Sequence, residues 1–372
     1  MNKDAIDLYA DMGAIPVINA LGNRTFLGGS APAPEIVAAM QLAGRYYVDM
    51  DELLQSTGRI VAEMIQAEAA LITPGCAAAL VLGTSACITG TDPNKMARLP
   101  NATGLKNEVV IQRAQRYKYD RVVRLPGTTL IEAGNEAGTT AEQLARAIND
   151  DTAAVLYPMI DNPANILSVA ETIRIAHEHN APVIVDAAFD VYPLEGFSKY
   201  TAMGADLVGY GAKYFGAPNS SGILCGRKDL IEAAHLHSFA CFETRELPGV
   251  GRPLKIDRQE VVGVVVALRR WLSMDHDARH QQAALRADNL RRQLGALPKA
   301  AISSDNSPTL TLTLDEKVLG QTSAEIETAL RNGNPSIWME ATPGQLHFHM
   351  HTVQEGDEEL LAARVKEVLG IG

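Results

Sequence analysis

Two residues near the middle of the 372-residue chain have the types and surroundings needed for chemistry on amines. Lys213 follows the segment 205–212, an apolar run that ends in glycine and other small residues. Burial lowers the pKa of such a lysine and frees its amine to form a Schiff base. Asp186 ends the apolar segment 182–185, and a buried carboxylate needs a partner such as a protonated ring nitrogen. A surface lysine and a structural aspartate are the ordinary alternatives.

A third segment has the composition of a phosphate-binding helix start. Residues 73–79 contain Gly75, Cys76 and Ala77 and lead into an apolar helix. Small side chains let a phosphate approach the N–H groups of the first helical turn, where the helix dipole favours an anion. A small-residue helix packed against a sheet has the same pattern, so this segment alone leaves both interpretations open.

The order of the three segments is more informative than any one of them. A phosphate-binding helix comes first, an aspartate at a strand end follows, and a lysine comes after the next strand. Pyridoxal 5′-phosphate (PLP) needs a lysine for its Schiff base, an acidic partner for its pyridine nitrogen and a phosphate-binding site. The layout therefore resembles that of a PLP enzyme with the aspartate aminotransferase-like fold, fold type I.

The elements that must position these groups alternate between strand and helix from about residue 70 to residue 230. Continuous apolar strands in such an α/β pattern indicate a mostly parallel sheet with helices on both faces. Ligands of such sheets bind beyond the carboxyl ends of the strands. The predicted strands are 69–73, 108–112, 128–131, 153–156, 182–185, 206–209 and 223–225, and the predicted helices are 77–88, 140–148 and 169–179.

Three segments are predicted along the chain. Residues 1–65 form an N-terminal segment that packs on the domain junction or on a partner subunit, and residues 66–250 form the large PLP-binding domain. Residues 251–372 contain a long linking helix, interrupted near Asp275, and a smaller C-terminal α+β domain. Its predicted strands are 309–314, 336–339 and 345–350, and its predicted helices are 323–331 and 357–368.

Composition and charge exclude several classes of protein. Hydrophobic residues make up 47% and charged residues 21%, which suits a large folded core. The net charge of −11 argues against binding to a nucleic-acid backbone. Four cysteines without a CxxC pair suit a reducing compartment, the N-terminus lacks the apolar core of a signal peptide, and no apolar run reaches about 20 residues. We therefore expect a cytoplasmic protein with no membrane and no nucleic-acid partner.

Other chemical motifs are weak or missing. The sequence has no GxxxxGK[ST], GxSxG or HExxH motif, and its GxG pairs lack the third glycine of a dinucleotide-binding loop. His347, His349 and His351 alternate along a predicted strand, and three imidazoles on one face could hold zinc. No carboxylate or cysteine completes that set locally, so we expect an exposed or cleft-lining strand face rather than a metal site.

Much longer stretches of the chain resemble one family. It is the L-seryl-tRNA(Sec) selenium transferase-related family of fold type I PLP enzymes, which includes D-glucosaminate-6-phosphate ammonia-lyases. The resemblance covers nearly the whole chain and is specific when its motifs are taken together. The matching segments are 16–20, 27–30, 48–53, 67–70, 75–80, 107–113, those around Asp186 and Lys213, and 251–255, with a looser match at 360–369.

The resemblance implies roles for individual residues. Lys213 is the Schiff-base lysine, Asp186 the partner of the pyridine nitrogen, and the backbone N–H groups of Gly75, Cys76 and Ala77 hold the phosphate. Two further cofactor contacts depart from the family's pattern. Gln115, expected over the cofactor ring, stands where relatives often carry histidine. Gly209 and Tyr210 replace the family's small hydroxyl residue, so the Tyr210 hydroxyl is expected to serve the phosphate. Candidate substrate-binding residues are Asn19, Arg24 and Arg252, and Arg252 and Lys255 are expected to reach the phosphate or substrate of the neighbouring subunit.

The implied activity is PLP-dependent α,β-elimination of the ammonia-lyase type on a small or sugar-derived β-hydroxy or β-substituted amino acid. The active site would lie at the interface of a homodimer or a higher homo-oligomer. Racemisation or epimerisation, aldol cleavage and transamination stay open on the same fold. Selenium transfer onto tRNA is disfavoured by the acidic charge. A non-catalytic PLP-fold protein and a metal-dependent enzyme using the histidine strand are the alternatives from other classes.

Overall fold

The computed structural model describes residues 3–160, 165–304 and 306–371. Its strands in chain order are β1 (Val17–Ala20), β2 (Ala69–Thr73), β3 (Glu108–Gln112), β4 (Thr129–Ala133), β5 (Thr152–Pro158), β6 (Val183–Asp186), β7 (Leu207–Gly211), β8 (Gly222–Gly226), β9 (Ala300–Ser303), β10 (Thr309–Leu314), β11 (Ser336–Thr342) and β12 (Gln345–His349).

The α-helices in chain order are α1 (Lys3–Asp11), α2 (Pro34–Gly44), α3 (Met50–Ile65), α4 (Cys76–Thr89), α5 (Pro93–Met96), α6 (Ala141–Ala147), α7 (Val169–Glu178), α8 (Gly196–Ala202), α9 (Lys228–Leu236), α10 (Phe239–Thr244), α11 (Arg258–Ser273), α12 (His276–Leu294), α13 (Glu316–Leu319), α14 (Ser323–Arg331) and α15 (Asp357–Val368). Short 3-10 helices include Arg113–Gln115, Asp120–Arg124 and Ala212–Phe215. None of the helices in the described part of the chain is long and apolar enough to cross a membrane.

The larger of two compact units runs from Ser30 to Leu272 and contains a seven-stranded sheet. The strand order is β2-β8-β7-β6-β5-β3-β4, and β8 alone runs antiparallel to its two neighbours. Strands β5 to β8 are buried at every residue, because helices cover both faces of the sheet. The apolar helix α4 packs across the centre of this sheet. The predicted mostly parallel α/β sheet with helices on both faces is confirmed.

Parallel pairing of β6 with β7 brings the chemistry-bearing residues to one edge of the sheet. Asp186, the last residue of β6, is in register with Gly209 of β7. The pairing continues past the strand ends, because the N–H of Gly211 donates to the carbonyl of Ala188 (2.8 Å). Lys213 lies in the 3-10 helix that follows β7 directly. The carboxyl edge of the sheet therefore collects side chains from well-separated segments, as the α/β pattern predicts.

The smaller unit combines the residues up to Gly29 with those from Ser273 onward. Its five-stranded sheet has the order β1-β11-β12-β10-β9, in which β1 runs parallel to β11 and the other pairs are antiparallel. Helices α12, α14 and α15 pack on one face, over a core that includes Ile18, Leu312 and Phe348. Buried and more accessible side chains alternate along β10 because helices cover one face of this sheet.

The observed element bounds agree closely with the predicted ones. Strands β2, β3 and β10 and helices α14 and α15 have the predicted ends. Thr140 caps α6 through a capping box with Gln143, and the long helical stretch is interrupted at Asp275, which caps α12. The units divide the chain differently from the three predicted segments. The larger unit continues to Leu272, because α11 packs with it, and β1 belongs to the small sheet.

A close approach between α3 and β2 provides a test of this packing. A Cβ added at Gly58 would lie 2.3 Å from the carbonyl oxygen of Ala70, so Gly58→Ala forces the helix away from the sheet. We expect a loss of ~1–3 kcal/mol, which is typical of overpacking. At Gly44, the matched control, an added Cβ meets only the Gln259 side chain, at 3.5 Å, and the effect should stay within about 0.5 kcal/mol. Thermal unfolding measures both, and equal melting temperatures would contradict the assignment.

Candidate active site

Asp186 is the centre of the candidate site, and 7% of it is exposed. Its Oδ1 accepts hydrogen bonds from the Cys76 thiol (3.3 Å) and from the N–H of Ala188 (3.2 Å), while the Tyr117 hydroxyl donates to Oδ2. Burial raises the pKa of Asp186, and the hydrogen bonds from Tyr117, Cys76 and Ala188 act in the opposite direction. All three of these donors are neutral. The carboxylate is thus oriented but has no cation hydrogen-bonded to it in the part of the chain that the structure describes.

Lys213 is the second component, and 9% of it is exposed. Its Nζ lies 5.1 Å from the centre of the Tyr214 ring. The backbone around it is fixed, because the N–H of Ala212 donates to the carbonyl of Ser221 (2.9 Å). Gly216 then ends the 3-10 helix in the left-handed conformation, at φ 83°. A buried amine on a rigid segment is suited to a Schiff base, as the sequence predicts.

The start of α4 is the third component. Gly75 precedes the helix at φ 89° and makes no side-chain cap, while Ala77 is exposed. The first N–H groups of an α-helix have no acceptor within the helix, so they favour an anion. Gly222 of β8 packs tightly against this turn, because a Cβ there would lie 2.6 Å from the carbonyl carbon of Gly75. Cys76 belongs both to this helix start and to the surroundings of Asp186.

These groups fit PLP by the chemistry of the donor set. A buried carboxylate with neutral donors suits a protonated pyridine nitrogen, a buried lysine suits the aldehyde, and an uncapped helix N-terminus suits the phosphate. The structure thus brings Asp186 and the helix start at Gly75 and Cys76 together, and their roles toward the cofactor stay predictions. Lys213 lies in the 3-10 helix that directly follows β7, the strand that pairs with β6.

The expected phosphate contact from Tyr210 is wrong. Its side chain is completely buried, and its hydroxyl donates to the carbonyls of Gly196 (2.7 Å) and Phe197 (3.2 Å). The ring packs on the Phe197 ring at 5.3 Å between centres. Side chains alternate along a strand, so Tyr210 points away from the face on which Gly209 meets Cys76. The Tyr210 hydroxyl therefore makes its hydrogen bonds within the core rather than with the phosphate.

Gln115 also has an environment that differs from the expected one. It is completely buried, its Oε1 accepts from Gln112 (2.9 Å) and its Nε2 donates to the carbonyl of Pro158 (3.3 Å). No part of it is open to a cofactor ring. The aromatic residue that reaches Asp186 is Tyr117, which the sequence analysis missed. The sequence signal that could have identified Tyr117 is its position as an aromatic residue two places after Gln115.

Asn19 and Arg24, predicted to bind substrate, lie in the smaller unit. Asn19 closes the turn after β1, because its Oδ1 accepts from the N–H of Leu21 (2.9 Å) and its Nδ2 donates to Gly22 (3.1 Å). A hydrogen bond from His349 lowers the pKa of Glu340, and Arg24 contributes a weaker electrostatic effect in the same direction. Their roles toward substrate stay predictions.

Arg252, predicted to reach a neighbouring subunit, lies on the surface of the larger unit. Its Nε pairs with Glu243 (2.5 Å), and its guanidinium lies 5.9 Å from the centre of the Phe242 ring. Lys255, its predicted companion, is exposed. Both roles stay predictions.

The three strand histidines do not share one environment. His347 bonds to Thr311 and Thr342, at 3.0 Å each. His349 bonds to Thr309 and Glu340 at 3.1 Å. His351 lies beyond the end of β12, where its Nε2 is 3.2 Å from Nδ1 of His280. The first two histidines thus serve a polar strand face, and His351 belongs to a separate pair.

Within the described residues, one group has ligand atoms close enough for a metal ion: Asp51, His235 and Cys241. Asp51 pairs with Arg245 at 2.8 Å and with His235 at 2.6 Å, and it accepts a hydrogen bond from Gln55 at 2.8 Å. These hydrogen bonds outweigh the effect of burial and lower the pKa of Asp51 to about 2. A divalent cation would have to displace the Arg245 guanidinium. We therefore interpret the group as an ion-pair cluster joining α3, α9 and α10.

Comparisons with known proteins place this geometry in context. The aminotransferase class-V family model matches residues 61–334. A 5′-C-glycyluridine monooxygenase-decarboxylase from Streptomyces sp is 31% identical, over 97% of this chain and 92% of its own. A D-glucosaminate-6-phosphate ammonia lyase from Salmonella typhimurium (strain 14028s / SGSC 2262) is 31% identical, over 97% and 98%. A solved D-glucosaminate-6-phosphate ammonia-lyase structure matches with a TM-score of 0.86 and 30% identity, covering 98% of both chains.

Thiol chemistry gives a test of how the site is buried. Burial raises the pKa of Cys87 and Cys225 to about 12 and that of Cys241 to about 11, and burial with the neighbouring Asp186 raises that of Cys76 well above its usual value. Only the thiolate reacts, and at pH 8 a thiol with a pKa of about 11 is ionised to roughly one part in a thousand.

We expect the native protein to react with a thiol reagent such as DTNB at least roughly a hundredfold more slowly than the unfolded protein. The rate should rise as the pH is raised, because more thiolate forms. The same protein in concentrated guanidinium chloride is the control. One thiol that reacts rapidly in the native state at pH 8 would contradict the predicted burial.

Proposed function

Because the chain belongs to the aminotransferase class-V family, we propose that it is a PLP-dependent lyase that releases ammonia from a β-hydroxy or other β-substituted amino acid, small or sugar-derived. The observation that carries the proposal is the set of groups at the carboxyl edge of the large sheet. Asp186, Lys213 and the start of α4 match the nitrogen, aldehyde and phosphate of the cofactor.

The contrast between two buried carboxylates strengthens the assignment. Asp51 pairs with Arg245 and His235, and its pKa falls to about 2. Among the residues that the structure describes, the hydrogen-bond donors to Asp186 are all neutral, and its pKa is raised. A buried carboxylate with neutral donors gains most from a cation that arrives with a ligand, because pairing offsets the cost of burying the charge. A pyridinium nitrogen is such a cation.

When bound, PLP supplies an aldehyde for amines and an electron sink for a bond broken at the substrate α-carbon. The residues of this chain do the rest. The N–H groups at the start of α4 would bind the phosphate dianion, and Asp186 would hold a proton on the ring nitrogen. Lys213 would hold the cofactor through its aldehyde, and its Nζ would be the base for the substrate α-proton. Loss of the β-hydroxyl as water, followed by hydrolysis, gives ammonia and a 2-oxo acid, with no net oxidation.

The two relatives are named for different reactions, so family membership alone does not select the bond that breaks. The ammonia-lyase is favoured because its solved structure matches this chain over 98% of both lengths. Racemisation or epimerisation and transamination begin, like elimination, with loss of the α-proton, whereas aldol cleavage breaks the Cα–Cβ bond. These are the alternative outcomes. A panel of β-substituted amino acids, including amino sugar acids and their phosphates, distinguishes them. Ammonia and 2-oxo acid are expected, and neither product from any member would refute the lyase.

The proposal extends to a cytoplasmic homodimer or higher homo-oligomer. The four cysteines are free thiols, which suits a reducing compartment. Five apolar side chains of the larger unit are exposed within a short segment: Val37, Leu42, Tyr46, Tyr47 and Val48, with Tyr47 at 93%. Such a run favours an interface with a second copy. Sedimentation velocity tests it, and a monomer at micromolar concentration would refute it.

Lys213→Ala tests the lysine directly. We expect activity to fall by roughly 10²–10⁴-fold or more, because both the covalent anchor and the proton acceptor are lost. Borohydride reduction followed by peptide mapping should place the cofactor on Lys213 in the parent protein and on no peptide in the variant. Lys228→Ala, an exposed position at the start of α9, is the matched control and should behave like the parent. Full activity of Lys213→Ala would refute the assignment.

A further inference from the structure

Cys76 contacts Asp186 through its side chain as well as starting the phosphate-binding helix. Its Sγ lies 3.3 Å from Oδ1 of Asp186. Burial, and then the neighbouring Asp186, raise the pKa of this thiol well above its usual value. The thiol therefore stays protonated and can only donate to the carboxylate. A half-buried thiol at the start of an apolar helix is ordinary packing, but one that donates to the cofactor's predicted partner acts on the site.

The space for this thiol comes from Gly209. A Cβ added at Gly209 would lie 3.1 Å from Sγ of Cys76, closer than ordinary contacts, while Ala79 and Leu80 would be met at 3.6 and 3.7 Å. Gly209 lies within the fully buried strand β7, opposite Asp186, and its φ is not in the left-handed region. Glycine weakens a strand interior and often marks a close approach. Here the approach is that of the Cys76 thiol.

The hydrogen bonds also divide unequally between the two carboxylate oxygens. Oδ1 accepts from Cys76 and Ala188, which uses both of its lone pairs, whereas Oδ2 accepts from Tyr117. One acceptor position is left among these bonds, and it is on Oδ2. Without the thiol, Oδ1 would lose one of its two donors, and the buried carboxylate would be less well oriented and less stable as an anion.

We propose that Cys76 and Gly209 act as a pair, in which the glycine admits the thiol and the thiol saturates Oδ1 of Asp186, so that the ring nitrogen of PLP is directed to Oδ2. Cys76 is then a positioning residue that acts through Asp186. This inference rests on the proposed function, since it requires PLP as the ligand. The steric half can be measured on the protein without cofactor, and the electrostatic half on cofactor binding.

The steric part of the proposal, in which Gly209 leaves space for the thiol, is tested by a double-mutant cycle on the cofactor-free protein. Gly209→Ala should lower the melting temperature in the parent, where it meets Sγ at 3.1 Å. In the Cys76→Ala background, Gly209→Ala should leave the melting temperature unchanged or raise it. The contacts that remain, with Ala79 and Leu80, are at ordinary van der Waals distances. Gly83→Ala is the matched control, since its Cβ would meet Leu207 at 3.1 Å and not the thiol. Its shift should be the same in both backgrounds. Equal shifts for Gly209→Ala in both backgrounds would overturn the pairing.

The electrostatic half is measured as the dissociation constant for PLP, with its visible absorbance followed against pH. Cys76→Ala should weaken binding by roughly three- to tenfold, the range of one net hydrogen bond, and Cys76→Ser should restore most of it. With the cofactor analogue that carries C–H in place of the ring nitrogen, the parent and Cys76→Ala should bind equally. A purely structural effect of the thiol would weaken both ligands alike and would overturn the proposal.

The two proposals fail in different ways. If the parent protein does not bind PLP, the proposed function is wrong, and the role of Cys76 toward the cofactor is wrong with it. If the parent binds PLP and Cys76→Ala binds it equally well with the same pH dependence, the proposed function stands and the role given to Cys76 is refuted.

Discussion

The cost of burying the Asp186 carboxylate is the constraint on which the candidate site depends. A charge taken out of water needs hydrogen bonds or a counter-charge. Three separate segments supply the hydrogen bonds: the start of α4 through Cys76, the segment after β3 through Tyr117, and the turn after β6 through Ala188. None of the three brings a positive charge, which supports our proposal that the cation comes with a ligand.

The sheet places the other groups around that carboxylate. Parallel β6 and β7 end at the same edge, which brings the segment of Lys213 beside that of Asp186. The antiparallel β8 returns past the start of α4, where Gly222 leaves no room for a side chain. One topology therefore assembles a carboxylate, an amine and a helix N-terminus without a long functional loop, consistent with ligand binding beyond the carboxyl ends of strands.

Glycine at two positions shows how packing serves the site. Gly58 lets α3 approach β2, which is a matter of stability, whereas Gly209 lets a thiol approach a carboxylate, which changes the electrostatics of the site. Both residues lie within regular elements, where glycine is unfavourable. Their presence is explained by neighbours that are distant in sequence, and a survey of local propensities would count both as defects.

The sequence by itself determined the fold class and most element bounds, and it predicted Asp186 and Lys213 as the two central residues of the candidate site. Apolar periodicity and strand-end residues are local signals, and Asp186, Lys213 and Gly75 carry them in chain order. Only the tertiary structure decided which side chains meet Asp186. Tyr210 lies in the core because side chains alternate along its strand, and Gln115 is buried and hydrogen-bonded to Gln112. Tyr117 and Cys76 donate hydrogen bonds to the Asp186 carboxylate. These outcomes depend on side-chain direction and on contacts between distant segments, which no local pattern encodes.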